Sequence, residues 1–427
     1  MTNPESFPKA DGRTRRDAAK MLAAQCLGLS FVSNLPAAAT LPGMGGGKAK
    51  SLIIVNFAGG ISHVDTFDIK EGNQEANSRS QPIKTNADGI RIGKYFSRMA
   101  DHMDRVAVIN SMQHALGIHG DASYLMQTAY ERRSTITHPE IGAWMSKHCE
   151  HRSGDIPPFI KMGAKSGLGA GFFPGKYGAL PIPDPSKGVS NSALPRGVAE
   201  DRFENRFSLT ESLNQEFNRT LSTGLTENYH EAYANAVKLM SSEDLVVFDL
   251  NQESDKTKET YGKNHFGYGC LLARRLVERG VGCVTIGHGG WDDHGNIYDE
   301  FESRSDVADR GISALLSDLR SHGLLDSTIV AITTEFGRDS KINRMGGRGH
   351  NPRGYTCMLA GGGIQGGQKY GATDPMGQTA VENIVSPADF HATIAHALGL
   401  STEVVEMSAT GRPFTLANKG KPVTALF

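Results

Sequence analysis

The sequence predicts an α/β fold in which helices cover both faces of a largely parallel central sheet. Three runs, residues 51–57, 281–288 and 328–334, are mostly apolar and β-branched, as strands buried on both faces are. Amphipathic helical segments alternate with such runs, which is the pattern of parallel strands joined by helical crossovers. The 50 glycines concentrate after these runs without a fixed period, so they indicate strand-end loops rather than a repeat architecture.

The elements follow one another in a regular order after residue 50. Predicted strands cover residues 51–57, 105–109, 281–288, 328–334 and 355–360. Predicted helices cover residues 122–131, 139–149, 265–279, 307–319 and 387–398. The last helix has the clearest start, because Ser386 can cap it and Asp389 stands three residues later to satisfy first-turn amides.

The segment at about 150–260 has the weakest pattern of the chain. Glycine and proline are frequent at 163–197, which indicates loop, while 208–218 and 227–240 have helical patterns. We expect this segment to be a loop and helix insertion that caps the site.

Composition excludes several classes of partner. The chain has 427 residues, a formal net charge of −1 and a mean hydropathy of −0.34, so no overall field attracts nucleic acid or an acidic membrane. The cysteines show no C-x-x-C spacing, which argues against a zinc knuckle or a redox pair. After the first forty residues no run of eighteen apolar residues occurs, and we expect no membrane span.

The first forty residues resemble a twin-arginine export signal. The pair Arg15-Arg16 precedes an apolar run at 21–32 and small residues at 36–39, although Ala18 stands where a large apolar residue is usual. An amphipathic first helix is the alternative. We expect recognition by the twin-arginine export machinery and a periplasmic or extracellular location. Residues 41–50 would then be a flexible lead-in to a single domain at 51–420.

Potential metal ligands follow two of the predicted strands. Asp292 and His294 come just after residues 281–288, and Glu335 comes directly after 328–334. His350 lies in a nearby glycine-rich stretch. Ligands of open α/β sheets bind beyond the carboxyl ends of the strands, and imidazole with carboxylate suits zinc, manganese or iron. We predict that these four residues hold metal; the alternative is that Asp292 and His294 bond turn amides.

Further polar residues follow the first two strands. His63 and Asp65 follow residues 51–57, and His114 and His119 follow residues 105–109. They could complete a second metal site or orient a nucleophile, although such histidines often make only structural hydrogen bonds.

Three arginines are candidate anion clamps, because the planar guanidinium matches tetrahedral oxyanions. They are Arg338, Arg348 and Arg353, and each could equally form a surface ion pair. The chain has no G-x-S-x-G motif and no Walker loop, so a serine-hydrolase triad and a P-loop nucleotide site lack support.

These motifs together resemble the exported family called domain of unknown function 1501, which is placed in the alkaline phosphatase and sulfatase superfamily. The most specific stretches are residues 59–68, 289–294, 335–338 and 347–350. The last departs from the family's usual pattern, which has an aspartate where Gly349 stands.

The resemblance implies an alkaline-phosphatase-like α/β sandwich with divalent metal at the strand ends. One or two ions (Zn, Mn, Ca or Mg) would be held, in chain order, by Asp292, His294, Glu335 and His350. Asp65 is a further candidate ligand. The implied activity is hydrolysis of a phosphate or sulfate ester in a small molecule or a polysaccharide.

The resemblance also directs attention to His119. Where related enzymes carry a serine, threonine or cysteine nucleophile, the resemblance places His119 in this chain by sequence position. His119 would be a ligand, a nucleophile, or evidence that water attacks directly. His63 would assist and Arg338 would steady the oxyanion. Two alternatives remain: an exported binding or assembly protein without turnover, and a phosphosugar mutase-like isomerase.

Overall fold

A computed structural model describes residues 47–73, 76, 78–150, 152–163, 168–189, 197, 199, 201–203, 205–206, 208–210, 212–213 and 237–427. The predicted export signal lies outside the described residues, as do most of the two helices predicted at 208–218 and 227–240. No helix in the described part of the chain is both long and apolar enough to cross a membrane.

Strands and helices alternate along the chain. The strands are β1 Ser51–Phe57, β2 Pro82–Lys84, β3 Arg91–Gly93, β4 Val106–Met112, β5 Phe159–Met162, β6 Leu180–Ile182, β7 Cys283–His288, β8 Thr328–Thr334, β9 Gly337–Arg338, β10 His350–Asn351, β11 Tyr355–Ala360, β12 Gln368–Tyr370, β13 Ala372–Thr373, β14 Ala380–Glu382, β15 Val405–Met407 and β16 Pro413–Thr415. The helices are α1 His119–Thr128, α2 Ile141–His148, α3 Asp255–Tyr261, α4 His265–Glu278, α5 Phe301–Ser321 and α6 Pro387–Leu398.

Eight strands form the central sheet in the order β12-β4-β11-β8-β1-β7-β5-β6. All neighbours pair in parallel except β11, which runs antiparallel to both β4 and β8. The carboxyl ends of β4, β8, β1 and β7 therefore lie at one edge of the sheet. This is the edge where ligands of open α/β sheets bind.

Both faces of the sheet are covered, and alternate residues of β1 show it. Ile53, Val55 and Phe57 belong to the core beneath α4 and α5. Leu52 belongs to the opposite core, beneath α2 and α6. The residues of a strand alternate between faces, so the near-continuous apolar run of β1 serves two cores at once. The predicted α/β class, with a largely parallel sheet, is confirmed.

The segment predicted as a cap needs correction, because two strands of the sheet lie within it. β5 pairs with β7, and β6 pairs with β5 as the outermost strand on that side of the sheet. Their short apolar patterns are interrupted by Lys161 and Pro181, which hid them in the sequence. Lys161 is nevertheless buried, because its ammonium group lies 2.9 Å from both carboxylate oxygens of Glu140.

Candidate metal centre

Four side chains from three segments converge at the carboxyl edge of the sheet. They are His119, which begins α1; Asp292 and His294, which follow β7; and His350, which begins β10. Asp292 Oδ1 lies 3.1 Å from His119 Nε2, 3.1 Å from His294 Nε2 and 3.2 Å from His350 Nε2. The Nε2 atoms of His294 and His350 are 2.9 Å apart. We call these four residues the His/Asp cluster.

The cluster is open to solvent. The side chains of His119, Asp292, His294 and His350 are 33%, 47%, 47% and 21% exposed. Their ligating atoms nevertheless point toward one another, because the loops that carry them are held together. β10 pairs with β9 so that His350 lies opposite Arg338, and a bridge between Gly295 and Gly346 ties the His294 loop to the loop before β10. A substrate could therefore reach the cluster without any rearrangement of the sheet.

Partners behind two of the rings decide where their protons lie. His119 Nδ1 is 2.7 Å from Glu335 Oε1, and His350 Nδ1 is 2.8 Å from the carbonyl oxygen of Gly117. A carboxylate and a carbonyl only accept, so each Nδ1 carries a proton, while each Nε2 faces the cluster. His119 Nε2 is buried and makes no hydrogen bond, although Asp292 Oδ1 is 3.1 Å away.

This arrangement fits a cation. His119, Asp292 and His350 offer ligating atoms that all lie within 4.8 Å of one another. Electron-rich donor atoms that converge in this way are stabilised when a positive charge lies between them. Imidazole nitrogens and a carboxylate oxygen are common ligands of zinc and of other transition metals. Of the predicted ligands, Asp292, His294 and His350 lie in this cluster, and His119 joins them.

Asp292 carries the negative charge of the cluster. Burial alone would raise its pKa, but the hydrogen bond from Arg338 Nη2 at 2.6 Å, together with His350 and His119, outweighs burial. The pKa of Asp292 is thus held well below its usual range. The carboxylate remains ionised at neutral pH, as a metal ligand must.

Arg338 positions Asp292 from the protein side. It is fully buried, and Nε donates to Gly60 O at 2.8 Å while Nη1 donates to Arg348 O at 3.1 Å. Nη2 donates to the carbonyl oxygens of Gly59 and Trp291 as well as to Asp292. All three nitrogens therefore face protein groups. The predicted role of Arg338 in steadying a substrate oxyanion is corrected to that of a positioning residue.

Glu335 lies behind His119 rather than among the converging atoms. Its Oε1 accepts from His119 Nδ1 and, at 2.7 Å, from the backbone N–H of Gly59. A carboxylate in this place fixes the orientation and tautomer of a ligand histidine and increases its basicity. Glu335 was predicted to bind the metal directly. In the structure its carboxylate lies behind His119 and contacts that ring instead.

Two glycines after β1 allow the close approach of these loops. Gly59 has a φ of +114°, and a Cβ there would lie 2.7 Å from Asp292 N. Gly60 has a φ of +78°, and a Cβ there would lie 2.7 Å from the ring of Phe336. Only glycine adopts such φ values without strain, so this pair allows β1 to exit directly beneath the cluster.

Asp65 and His63 lie outside the cluster. Asp65 is fully buried in an ion pair with Arg348, whose Nε is 2.9 Å from Asp65 Oδ2, and it also accepts a hydrogen bond from Tyr298 OH at 2.7 Å. His63 Nε2 donates to Gly377 O at 2.6 Å, and burial lowers the pKa of His63. The predicted ligand Asp65 and the predicted catalytic His63 are therefore buried structural groups. Of the three arginines considered as anion clamps, only Arg353 is exposed.

Two contributors to the site were not predicted from the sequence. The ring of Phe336 packs against His119 at 4.8 Å and His350 at 4.5 Å between centroids. The carbonyl oxygen of Gly117 orients His350. Phe336 stands in the conspicuous stretch 335–338, which could have signalled it, whereas a backbone carbonyl leaves no trace in residue identities.

A family model described as "Protein of unknown function (DUF1501)" matches residues 49–427. The chain belongs to the DUF1501 family. The predicted resemblance is thereby confirmed over nearly the whole described region. No curated protein matches the DUF1501 chain.

Several solved structures are similar to the DUF1501 chain at low identity. One, Ps i-CgsB in complex with k-i-k-neocarrahexaose, is 12% identical with a TM-score of 0.40 over 82% of this chain and 72% of that chain. The PsFucS1 sulfatase from Pseudoalteromonas sp. is 12% identical with a TM-score of 0.39 over 87% and 73%. A protein in the alkaline phosphatase superfamily from Vibrio parahaemolyticus is 9% identical with a TM-score of 0.38 over 97% and 79%. Both measures are low, so function is inferred below from the residues of this chain.

Proposed function

We propose that this chain is an exported, metal-dependent hydrolase of phosphate or sulfate esters whose ion is held by the His/Asp cluster. The observation that carries the proposal is the convergence of His119 Nε2, His350 Nε2 and Asp292 Oδ1, whose ligating atoms lie within 4.8 Å of one another in a cluster open to solvent. The choice of ester hydrolysis rests on the superfamily resemblance of the motifs and on the site's place at the carboxyl edge of the sheet.

The types of ligand atom in the cluster restrict which metal ions we expect it to bind. Calcium and magnesium prefer oxygen ligands, whereas up to three imidazoles and one carboxylate favour zinc or manganese among the ions expected. The cluster offers donors for one ion. Asp65 and His63, which could have completed a second site, are engaged in buried structural contacts instead.

A divalent ion held there would polarise an ester oxygen and lower the pKa of water at the site. Two side chains of the protein hold the ligands in position. Glu335 orients His119, and Arg338 holds Asp292. The exposed faces of the four ligands leave room for a substrate. Because Arg338 and Arg348 face inward, the charge of the ion would be the main attraction for the anionic ester.

Water is the proposed nucleophile. Among the described residues, no serine, threonine or cysteine side chain hydrogen-bonds to His119, Asp292, His294 or His350. Burial raises the pKa of Cys149 to about 11 and that of Cys357 to about 12, which keeps both thiols protonated at neutral pH. Formation of a covalent serine or cysteine intermediate therefore has no support in this site.

The experiment is to load purified protein with zinc or manganese and to assay nitrophenyl phosphate and nitrophenyl sulfate. We expect turnover of one ester, lost in Asp292→Asn and in His350→Ala but kept in His322→Ala, which alters an exposed histidine at the end of α5. Protein that binds metal tightly yet hydrolyses neither ester would contradict the proposal and favour a binding protein without turnover.

Export is proposed from the first forty residues alone. Fusion of these residues to a folded reporter should direct it across the cytoplasmic membrane through the twin-arginine machinery. The double change Arg15→Lys and Arg16→Lys should retain the reporter in the cytoplasm, and unchanged export would contradict this part of the proposal.

A further inference from the structure

A cleft of about 760 Å³ lies between the segment after β4 and the C-terminal end of α1, and the proposed reaction does not use it. One end is formed by His114 and Ala115, after β4. One wall is α1, through Leu125 and Ala129, and the other is formed by Phe414 and Lys419. The volume is within the range of sites that bind small molecules and oligomers.

The cleft and the cluster share one segment of chain, because His114 lines the cleft and His119 belongs to the cluster. His114 Nε2 donates to the carbonyl oxygen of Glu335 at 2.7 Å, and Gly117, three residues further on, orients His350. α1 then begins at His119 in the cluster, and Ala129 at its far end lines the cleft. Ten helical residues span about 15 Å, so a ligand lying along α1 would extend about that far from the cluster.

The cleft carries positive charge that the protein does not neutralise. Arg133 and Lys419 both line it, and neither forms an ion pair with any described residue. Among the described residues of the lining, Glu131 is the one acidic side chain. A site with two unpaired cations and one acid attracts a ligand with dispersed negative charge.

The walls of the cleft are preformed. Tyr130 OH donates to Thr415 O at 2.7 Å and accepts from Thr415 N–H at 3.1 Å, which ties the end of α1 to β16. Asn418 Nδ2 donates to Ala129 O at 3.1 Å. Ala129, Asn418 and Lys419 all have positive φ despite being non-glycine, a conformation that persists only where surrounding contacts enforce it. A preformed cleft loses little entropy on binding.

We propose that this cleft binds the flanking units of an acidic oligosaccharide whose ester group reaches the His/Asp cluster, an inference that rests on the proposed ester hydrolysis. Sugar rings combine hydroxyl groups with apolar C–H faces, and the lining offers both partners. Tyr130 and Phe414 present aromatic surface 5.5 Å apart between centroids, and Gln113 and Asn418 present amides. The sulfate or carboxylate groups of neighbouring units would contact Arg133 and Lys419.

Two other ligand classes fit less well. Nucleic acid binding draws most of its affinity from many phosphate contacts, and two lining cations in a chain of net charge −1 are too few. A lipid tail needs a continuous apolar surface, which the charged and amide side chains of the lining interrupt.

The test measures binding separately from turnover. The full chain carrying Asp292→Asn, and the native chain with a chelator, are titrated at low salt with chondroitin sulfate hexasaccharide and with its desulfated form. We expect the sulfated form to bind about tenfold more tightly, because two cations face its charges. The double variant Arg133→Glu/Lys419→Glu should weaken its binding by at least about tenfold.

The matched control is Lys84→Glu/Lys256→Glu, which makes the same change in net charge at two exposed positions outside the cleft. Its affinity should equal that of the native chain. Equal binding by both double variants, or equally tight binding of a DNA hexanucleotide or of hexaglutamate, would overturn the proposal. Absence of nitrophenyl ester hydrolysis by the metal-loaded native chain would count against the proposed function alone, since the binding titrations do not depend on turnover.

Discussion

His119 Nδ1 lies 2.7 Å from Oε1 of Glu335, a carboxylate that is almost fully buried. The same oxygen accepts the N–H of Gly59, so the exits of β1 and β8 jointly hold the first residue of α1. A ligand histidine held from behind by a carboxylate has a fixed tautomer and a fixed orientation. The position of His119 in the His/Asp cluster therefore depends on the sheet itself.

The first prediction is that Glu335→Gln weakens metal binding without unfolding the protein. The amide keeps the size of the carboxylate but loses its charge, and such changes behind a ligand typically lower metal affinity about 10- to 100-fold. Zinc titration of the chelated protein measures the affinity, and the thermal midpoint reports on the fold. Glu403→Gln, at an exposed position, is the matched control and should bind zinc like the native chain. An unchanged zinc affinity in Glu335→Gln would show that Glu335 does not contribute to metal binding.

The second prediction concerns removal of metal. A ligand that binds only the folded state stabilises it, by about 2.7 kcal/mol when its concentration is 100 times its Kd. A chelator should therefore lower the thermal midpoint of the native chain, and added zinc should restore it. Asp292→Asn should show almost no difference between the two conditions. Asp326→Asn, at an exposed position, should respond like the native chain. Equal responses of both variants would place the ion elsewhere.

The third prediction separates Asp65 from the metal. Removing one partner of a buried ion pair costs about 3–5 kcal/mol, because the other charge is left buried and unpaired. Asp65→Asn should lose stability of this order by leaving Arg348 without its carboxylate, and the loss should be the same with and without chelator. Urea unfolding in both conditions is the measurement. If the loss of stability in Asp65→Asn disappeared in the presence of chelator, Asp65 would be a metal ligand.

The sequence could predict the elements that are long and uniform. The sequence predicts β1 and β8 at the residues where they occur, because a run of seven mostly apolar or β-branched residues leaves few alternatives. α6 was also expected in full, since Ser386 and Asp389 form the predicted capping box. β5 and β6 are too short for a pattern, and the charge of Lys161 is compatible with burial only because Glu140 is close in space. That proximity is a tertiary contact, which periodicity does not contain.

The sequence could predict where the site lies. It could not predict which residues form the cluster and which hold those residues from behind. The order of strands places the carboxyl ends of β7 and β8 together, so the region of Asp292 and Glu335 follows from topology. Which of them faces the His/Asp cluster depends on side-chain direction after the strand ends. Residue identity likewise does not distinguish a buried positioning residue such as Arg338, whose guanidinium donates to carbonyl oxygens, from an arginine open to substrate.

The fourth prediction is a loss of stability in acid that depends on His288. Burial and the nearby charge of Arg304 lower the pKa of His288 to about 4, whereas an unfolded histidine titrates near about 6.5. As pH falls from about 6.5 to about 4, the unfolded chain takes up a proton at this position and the folded chain does not, so stability falls through this window and levels off below it. The full effect is on the order of 3 kcal/mol.

The change His288→Gln should remove that part of the acid sensitivity. His288 Nδ1 accepts a hydrogen bond from Trp291 Nε1 at 3.1 Å, and the amide oxygen of glutamine can accept in its place. Urea unfolding between pH 7 and pH 4.5, with a chelator throughout, should show a smaller loss in His288→Gln than in the native chain. Other buried histidines act in the same direction, so the difference between the two curves is the informative quantity. His322→Gln should follow the native curve, and parallel curves for all three proteins would show that His288 is protonated equally in the folded and unfolded states.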